Sequence, residues 1–375
     1  MRSLKGGHMP VFLNHITTTV PQTAYTQDEA GKTMLHKFEE GSRAARLTRR
    51  IYAHSGIETR HSVLPDFREG ADAPLLFDFD TKKFLSPSTG ERNDLYSKEA
   101  RVMFSATAER LVGECPGIEK SDITHVITVS CTGFFAPGPD FYIVKDLGLN
   151  PSTKRFHIGF MGCYAAFPAL KMAKAFCEAE PEAVVLVVCL ELCSLHLEPS
   201  EEIDDILATS VFGDGASGAI VSSRNEAPGT SFRMDSLNST IAPDSEGDMA
   251  WTIGDHGFDM ILSTYVPRIL EANVAEIVDG LLSENDAQRA DIEHWAIHPG
   301  GRAILDKVEQ GLELGAEDLT ASRAVLRDYG NMSSATILFV LDHIRRSPAS
   351  GRPEPILAMA FGPGLTVESA LLTRV

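Results

Sequence analysis

The chain has 375 residues, with 34 Lys and Arg against 52 Asp and Glu, and a formal net charge of −18. Apolar residues make up 43% and charged residues 23%, which is ordinary for a globular chain of about two compact units at roughly 150 residues each. This composition excludes intrinsic disorder as the main state. The acidic charge disfavours a general nucleic-acid binder, because it repels phosphates. We therefore expect a soluble enzyme.

Cysteine use and apolar runs indicate the compartment. The six cysteines are too sparse for a disulfide scaffold and form no Cys-x-x-Cys pair, so the sequence predicts reduced thiols, a cytoplasmic protein and no metal site. The most apolar run, 183–190, is followed by Glu191 and is far shorter than the roughly 20 residues that span a bilayer. It predicts a buried strand and no membrane insertion. Residues 1–9 have no apolar signal core and are expected to be a cloning remnant.

The hydrophobic pattern predicts strands and helices that alternate along the chain. Predicted strands are 10–18, 123–130, 155–161, 184–190, 216–221, 294–297 and 356–361. Predicted helices are 39–54, 95–115, 164–178, 266–282, 302–312 and 333–344, with a loop at 65–93 and an acidic solvated face or loop at 198–205. Alternation of this kind favours an α/β layered core. A polar break at 222–231 divides the chain into predicted halves, 10–222 and 223–375, of similar content.

The segment 155–176, RFHIGFMGCYAAFPALKMAKAF, carries the best nucleophile candidate. Its pattern places Cys163 between a strand that ends at Gly162 and the start of a helix, where the helix dipole and free backbone N–H groups favour a thiolate. Small neighbours leave room for a substrate carbonyl. A buried structural cysteine is the alternative, and it is the interpretation that we prefer for Cys115, Cys177 and Cys189.

Three further segments offer partners for such a thiol. His298, in HWAIHPGGRAIL, follows a predicted strand, and the carboxyl ends of strands commonly form α/β active sites. Asn331, in YGNMSS, could cap the next helix or donate to a developing oxyanion. The sequence AFGPGLT at 360–366 predicts a rigid turn between strands. Each segment alone also fits an ordinary structural role.

Together, GFMGCYAA, WAIHPGG, YGNMSS and FGPGLT, with FGDGA at 212–216, closely resemble the chalcone synthase-like (type III) polyketide synthases. The order and spacing match over nearly the whole chain. The resemblance implies a thiolase-like fold of two duplicated αβαβα halves, a homodimer and a buried site at the end of a pantetheine tunnel. In that family a methionine commonly reaches the neighbouring subunit's cavity, and Ala136 takes its place here.

The resemblance also implies the chemistry. Cys163 would carry the starter and the growing chain as a thioester, and His298 would hold Cys163 as a thiolate. His298 and Asn331 would polarise the malonyl thioester, whose decarboxylation gives an enolate that attacks the Cys163-bound acyl group. Fixed donors suit this step because negative charge builds on the thioester oxygen. CoA thioesters are substrates in this scheme, and no resident cofactor is implied.

A CoA thioester needs a local basic patch on an acidic protein. The segment SRAARLTRR at 42–50 repeats arginine on one helical face, which alone would indicate only a solvated basic helix. By the resemblance, Arg50 matches a CoA-phosphate ligand, and His54 stands where the family often has lysine.

Pocket positions suggest the starter. By alignment with the family they are Cys131, Thr132, Cys193, Leu195, His196, Phe212, Trp251, Met260 and Ser333. Met260 replaces the second gatekeeper phenylalanine of the plant enzymes, and a flexible thioether can move aside for a longer chain. Trp251 stands where those enzymes keep glycine and would narrow the cavity. We give more weight to Met260 and to the apolar Cys131 and Cys193 than to Trp251. The sequence therefore resembles bacterial members that use medium or long fatty acyl-CoA to make alkylpyrones or alkylresorcinols.

Three alternatives remain at this point. A ketoacyl-carrier-protein synthase III shares Cys, His and Asn, but its His segment usually reads HQAN and its late loop is Gly-Gly-Gly rich. Hydroxymethylglutaryl-CoA synthases need a catalytic Glu that this pattern does not supply. A non-catalytic acyl-CoA-binding relative would have no need of a reactive thiol.

Overall fold

The computed structural model describes residues 9–243, 245–263 and 265–375. Of the predicted cloning remnant, only Met9 falls within them. In chain order the strands are β1 Phe12–Thr19, β2 Thr23–Thr26, β3 Thr59–Ser62, β4 Phe77–Asp78, β5 Lys83–Phe84, β6 His125–Ser130, β7 Lys154–Gly159, β8 Val184–Leu192, β9 Asp214–Ser222, β10 Phe232–Ile241, β11 Met249–Gly254, β12 Gly257–Leu262, β13 His294–Ile297, β14 Glu354–Gly362 and β15 Thr366–Arg374. The α-helices are α1 Gln27–Leu35, α2 Arg43–Ala53, α3 Thr89–Glu114, α4 Pro139–Leu147, α5 Ala166–Ala179, α6 Ile203–Val211, α7 Val266–Glu284, α8 Arg302–Leu312, α9 Thr320–Tyr329 and α10 Thr336–Arg346.

Nine strands form one mixed sheet in the order β13-β14-β15-β10-β1-β9-β8-β6-β7. In its first half, β6 pairs parallel to β8, and β8–β9 and β9–β1 are antiparallel. The second half repeats this pattern, with β13 parallel to β14 and with β14–β15 and β15–β10 antiparallel. The two halves meet where β1 pairs with β10 over a short register. The pairing is therefore duplicated along the chain.

The core lies in layers on both faces of this sheet. Helices α5 and α10 share one apolar cluster with residues of both sheet halves, whereas α3 packs against the outer face of the first half and α7 and α8 against that of the second. Strand β8 is buried along its whole length, because alternate side chains face the α5 cluster and the α3 cluster. This arrangement confirms the predicted α/β layered core. No helix within the described ranges is long and apolar enough to cross a membrane.

Several boundaries differ from the sequence prediction. Helix α2 begins at Arg43 rather than at 39, because Ser42 caps it by accepting from Ala45 N at 3.1 Å. Helix α3 begins six residues before the predicted start, with Ser88 and Glu91 forming a capping box. The acidic segment expected to be a loop leads into α6, whose first turn is acidic, and carboxylates there stabilise a helix. The hairpin β11–β12 was not predicted.

Candidate active site

Cys163 lies in the turn between β7 and α5, three residues before the first helical residue rather than at the helix start. The backbone N–H of Ala165 donates to the carbonyl oxygen of Gly162 at 3.0 Å and closes the turn. Gly162 has φ +81°, and a Cβ there would lie 2.8 Å from Pro363 Cδ. Only glycine fits both constraints.

The Gly-Pro-Gly connection between β14 and β15 packs on this turn. A Cβ added at Gly362 would lie 2.4 Å from Tyr164 Cδ1, so glycine is required for the close approach. Pro363 lines the same cavity as Cys163. The motif expected to be a tight turn therefore also holds the nucleophile's turn in position.

Asn331 is fixed by its neighbours on both backbone and side chain. Its N–H donates to Val211 O at 2.8 Å, and its carbonyl oxygen accepts from Gly213 N at 2.9 Å. In the side chain, Oδ1 accepts from Ser333 N at 2.8 Å, and Nδ2 donates to Gly300 O at 3.3 Å. Nδ2 also lies 3.9 Å from the Cys163 sulfur, so the amide presents a donor beside the nucleophile.

His298 directly follows β13, and its backbone N–H donates to Met359 O at 2.8 Å. The side chain is 1% exposed. Neither ring nitrogen has a hydrogen-bond partner among the described residues. His298 lines the same cavity as Cys163 and Asn331, so its ring offers an unpartnered polar group there.

Burial dominates the electrostatics of this group. It raises the pKa of the Cys163 thiol to about 11, although the hydrogen bonds from Ser333 and Asn331 oppose the rise. Burial also lowers the pKa of His298 to about 3. Both shifts favour the uncharged forms, and a proton then passes from sulfur to imidazole when the thiol attacks. The thiolate expected from the sequence stays a prediction.

The three residues meet in a cavity of about 40 Å³. Its lining residues are Cys131, Gly162, Cys163, Phe212, Met249, Ala250, Trp251, Met260, Leu262, His298, Gly300, Ile304, Asn331, Ser333, Phe361 and Pro363. A buried imidazole and a fixed carboxamide converge here beside a nucleophile, in a largely apolar lining. This is the arrangement that stabilises an oxyanion or enolate next to a thioester.

The pocket positions predicted by alignment fall into three groups. Phe212, Cys131, Trp251, Met260 and Ser333 line the catalytic cavity. A second cavity of about 410 Å³ is lined by Cys193 and His196 and shares Phe212, Trp251 and Met260 with the first.

Thr132 and Leu195 belong to neither lining. The Thr132 hydroxyl is turned away because it accepts from Leu192 N and donates to the carboxylate of Glu191, both at 2.9 Å. Leu195 is fully buried in the cluster under α3.

Glu191 is the residue that sequence reasoning missed. It lies inside β8 rather than after it and is fully buried. Its carboxylate accepts from the backbone N–H of Cys131 at 2.9 Å and from Ser334 Oγ at 2.5 Å, so it joins the loop after β6 to the segment after Asn331. The signal was a single charged residue within the apolar run VVCLELC.

The predicted CoA ligands lie at an outer cavity of about 490 Å³, which shares Leu262, Gly300 and Ile304 with the catalytic cavity. Arg50 and His54 both line it. His54 Nδ1 lies 2.8 Å from the carbonyl oxygen of Arg50. The outer cavity, lined by Arg50 and Arg302, thus adjoins the cavity that holds Cys163.

Two family descriptions match almost the entire chain. The N-terminal domain of chalcone and stilbene synthases matches residues 5–225, and the C-terminal domain matches residues 233–375. The chain belongs to this family, the type III polyketide synthases, and is an acyltransferase that catalyses decarboxylative condensation. The prediction from the motifs is confirmed, and the ketoacyl synthase and non-catalytic alternatives are set aside.

Individual relatives agree with this assignment. The "Alpha-pyrone synthesis polyketide synthase-like Pks18" of Mycobacterium tuberculosis is 31% identical over 361 residues, which cover 95% of this chain and 89% of that protein. The crystal structure of PKS-I from the brown alga Ectocarpus siliculosus has a TM-score of 0.88 at 29% identity, covering 99% and 100% of the two chains. That of 1,3,6,8-tetrahydroxynaphthalene synthase from Streptomyces coelicolor A3(2) has a TM-score of 0.86 at 28% identity, covering 96% and 98%. The predicted thiolase-like fold is confirmed.

Proposed function

We propose that this enzyme condenses malonyl-CoA repeatedly onto a medium- or long-chain fatty acyl starter held on Cys163, and releases an alkylpyrone or alkylresorcinol. Acyl-CoA and malonyl-CoA are its substrates and no resident cofactor is required. The observation that carries the choice of starter is the second cavity, which adjoins the catalytic one at Phe212, Trp251 and Met260. The name of the mycobacterial relative, an alpha-pyrone synthase, agrees with the product class.

The charged residues that line the outer cavity and the second cavity indicate which part of the substrate each cavity would hold. Arg50 and Arg302 line the outer cavity, which therefore suits the phosphates of CoA. Glu198 and Asp259 line the second cavity and are exposed at its outer end, so that end repels phosphates. The acyl chain would leave Cys163 in the direction of the second cavity, while the pantetheine arm comes from the outer one.

Met260 is the movable part of the partition between the two cavities. Trp251 is held by a hydrogen bond from Nε1 to the carbonyl oxygen of Cys131 at 2.9 Å. Met260 pairs with Trp251 across the hairpin, is only partly buried, and has an unbranched thioether that can change rotamer. A chain that displaces Met260 gains about 0.8 kcal/mol for each methylene that it buries, which is roughly fourfold in affinity.

The test is a ladder of acyl-CoA starters from acetyl to palmitoyl, with kcat/KM measured for each and products identified by mass spectrometry. We expect kcat/KM to rise with chain length until the second cavity is filled. Met260→Phe should remove this rise, because a rigid ring closes the partition. Met249→Phe is the matched control, since Met249 lines the catalytic cavity but not the second one. It should lower kcat/KM for all starters by the same factor. Equal kcat/KM for acetyl-CoA and decanoyl-CoA would contradict the proposal.

We also infer that the enzyme is a cytoplasmic homodimer. The six cysteines are free and buried, which suits a reducing compartment. Phe134, in the loop that carries Ala136, is 42% exposed, and a partner subunit would cover it. Light scattering should give twice the monomer mass of 40.8 kDa; a stable monomer at micromolar concentration would exclude the dimer.

A further inference from the structure

The C-terminal end of α6 is buried, and residues of other elements bind its carbonyl groups. The last carbonyl oxygens of a helix have no partner within the helix, and inside a protein they must find one elsewhere. Thr209 O accepts from the hydroxyl of Tyr52 at 2.9 Å, and Ser210 O accepts from Gln27 Nε2 at 2.7 Å. The segment that leads from α6 to Phe212 is therefore held from outside the helix.

Arg60, in β3, supplies the positive charge at this helix end. Its side chain is 6% exposed. Nη1 donates to Thr209 O at 2.8 Å and to Phe212 O at 2.7 Å. A cation is favoured at a helix C-terminus, where it meets the negative end of the helix dipole and the last carbonyl oxygens. The guanidinium of Arg60 thus fixes the backbone on both sides of the last turn of α6.

The aliphatic stem of Arg60 packs against a second segment, the one that leads into Asn331. Gly330 has φ +70°, and a Cβ there would lie 3.0 Å from Arg60 Cγ and 2.8 Å from Val211 O. Glycine is required at this position by the backbone conformation and by the close contact. Arg60 therefore lies directly under the residue that precedes the catalytic amide.

These two segments are joined to each other. Phe212 and Asn331 form an isolated parallel β-bridge, through the two backbone hydrogen bonds of Asn331 described above. Arg60 touches both sides of this bridge, with its guanidinium on Phe212 and its stem on Gly330. A shift of Arg60 would move the bridge as a unit.

We infer that Arg60 is a positioning residue for the decarboxylative condensation, and that it acts through Asn331. Arg60 is not among the residues that line the catalytic cavity or the outer cavity. Its contacts instead fix the bridge from which Asn331 Nδ2 reaches to within 3.9 Å of the Cys163 sulfur. A donor to an enolate must be held in place before the charge develops. A displacement of about 1 Å can cost roughly a hundredfold in rate.

The test is Arg60→Met, which removes the donors and keeps an unbranched stem that can pack on Gly330. Release of CO2 from malonyl-CoA, measured without a starter, reports the enolate step. We expect kcat to fall by about tenfold to a hundredfold and KM to change by less than about threefold, the pattern of a lost transition-state interaction. Alkylation of Cys163 by iodoacetamide should also change by less than about threefold, because the turn that holds Cys163 rests on the Gly-Pro-Gly connection and not on Arg60.

Arg60→Lys is the conservative variant. It keeps the charge and can donate to a carbonyl oxygen, but it lacks the planar fork of the guanidinium. We expect its kcat for CO2 release to exceed that of Arg60→Met and to stay at least about threefold below that of the wild-type enzyme.

Arg92→Met is the matched control. Arg92 is 2% exposed and donates from Nη1 to Leu195 O at 2.6 Å and to Leu197 O at 3.2 Å. Neither Arg92 nor Arg60 forms an ion pair within the described ranges, so both variants lose the same kind of contact. The control should lower stability in urea unfolding and leave kcat for CO2 release within about threefold of the wild-type value.

Three results would overturn the inference. One is a folded Arg60→Met enzyme that releases CO2 at the wild-type rate. Another is an equal loss of CO2 release in Arg92→Met, which would make the effect one of general destabilisation. The third is a folded Arg60→Lys enzyme with the wild-type kcat, and this measurement decides the question if Arg60→Met does not fold.

Discussion

Trp251 Nε1 donates a hydrogen bond to the carbonyl oxygen of Cys131 at 2.9 Å. Next to it, His196 Nε2 lies 2.8 Å from the carbonyl oxygen of Thr132, and its Nδ1 accepts from Phe258 N at 3.1 Å. This pattern requires the neutral imidazole, and burial lowers the pKa of His196 to about 4, so the neutral form persists at physiological pH. Hairpin β11–β12 is thus fixed to the loop after β6 at two adjacent carbonyls, which sets the width of the cavity between Trp251 and Cys131.

Trp251→Phe removes this donor and should loosen the hairpin. Loss of a partner for a buried carbonyl costs about 1–3 kcal/mol of unfolding free energy, and a smaller ring widens the cavity wall. We expect long starters to gain in kcat/KM relative to acetyl-CoA. Trp295→Phe is the control, because Trp295 is buried in β13 away from the cavity lining; it should lower stability in a urea titration without changing the ratio between starters.

Cys163→Ala should abolish acyl loading and product formation, since the proposed mechanism uses no other nucleophile. Cys131 and Cys193 are free, buried cysteines near the same site, and burial raises the pKa of both well above the usual value. Cys193→Ala should therefore retain loading, as measured by mass spectrometry of the intact protein. A covalent acyl adduct on the Cys163→Ala variant would contradict the assignment.

The pH dependence of Cys163 alkylation reports its protonation state. A thiol with a pKa of about 11 is protonated below that pH, and its thiolate fraction falls about tenfold per pH unit. Labelling by iodoacetamide should therefore rise about a hundredfold between pH 7 and pH 9. A rate independent of pH over this range would mean that His298 holds a thiolate as an ion pair, as the family resemblance implied.

His298→Ala should remove condensation while the protein stays folded, because the buried ring makes no hydrogen bond within the described residues. Loss of one oxyanion donor costs about 10²–10³ in rate, and loss of the proton acceptor for Cys163 adds to this. Release of CO2 from malonyl-CoA, measured without a starter, isolates the first effect. Decarboxylation at the wild-type rate would show that His298 is not a donor to the enolate.

The catalytic residues could be predicted from the sequence more completely than the residues that line the cavity around them. Cys163, His298 and Asn331 follow strands or turns whose apolar and glycine patterns are strong, and the sheet brings them together. Thr132 and Leu195 could be aligned with pocket positions, but sequence spacing does not reveal that Thr132 turns to the buried carboxylate of Glu191. The hairpin β11–β12 has little hydrophobic alternation from which it could be predicted. Its position depends on contacts such as that of Trp251 with Cys131.

Glu354 and Arg374 form a buried ion pair at the end of the sheet opposite the chemistry, and each is at most 2% exposed. Burial alone would raise the pKa of Glu354, but hydrogen bonds from Ser350 and the pairing with Arg374 outweigh it and lower the pKa to about 2. The unfolded carboxyl titrates near 4.5, so this stabilisation is present above that pH and is lost as the pH falls towards 2.

Glu354→Gln leaves Arg374 unpaired, and we expect it to lower the unfolding free energy at pH 7 by about 3–5 kcal/mol and to flatten its decline below pH 4.5. Glu180→Gln is the control, because Glu180 pairs with Lys154 and both side chains are half exposed; it should lower the unfolding free energy much less than Glu354→Gln does. Equal losses for the two variants in urea unfolding would show that the buried pair contributes no more than a surface one.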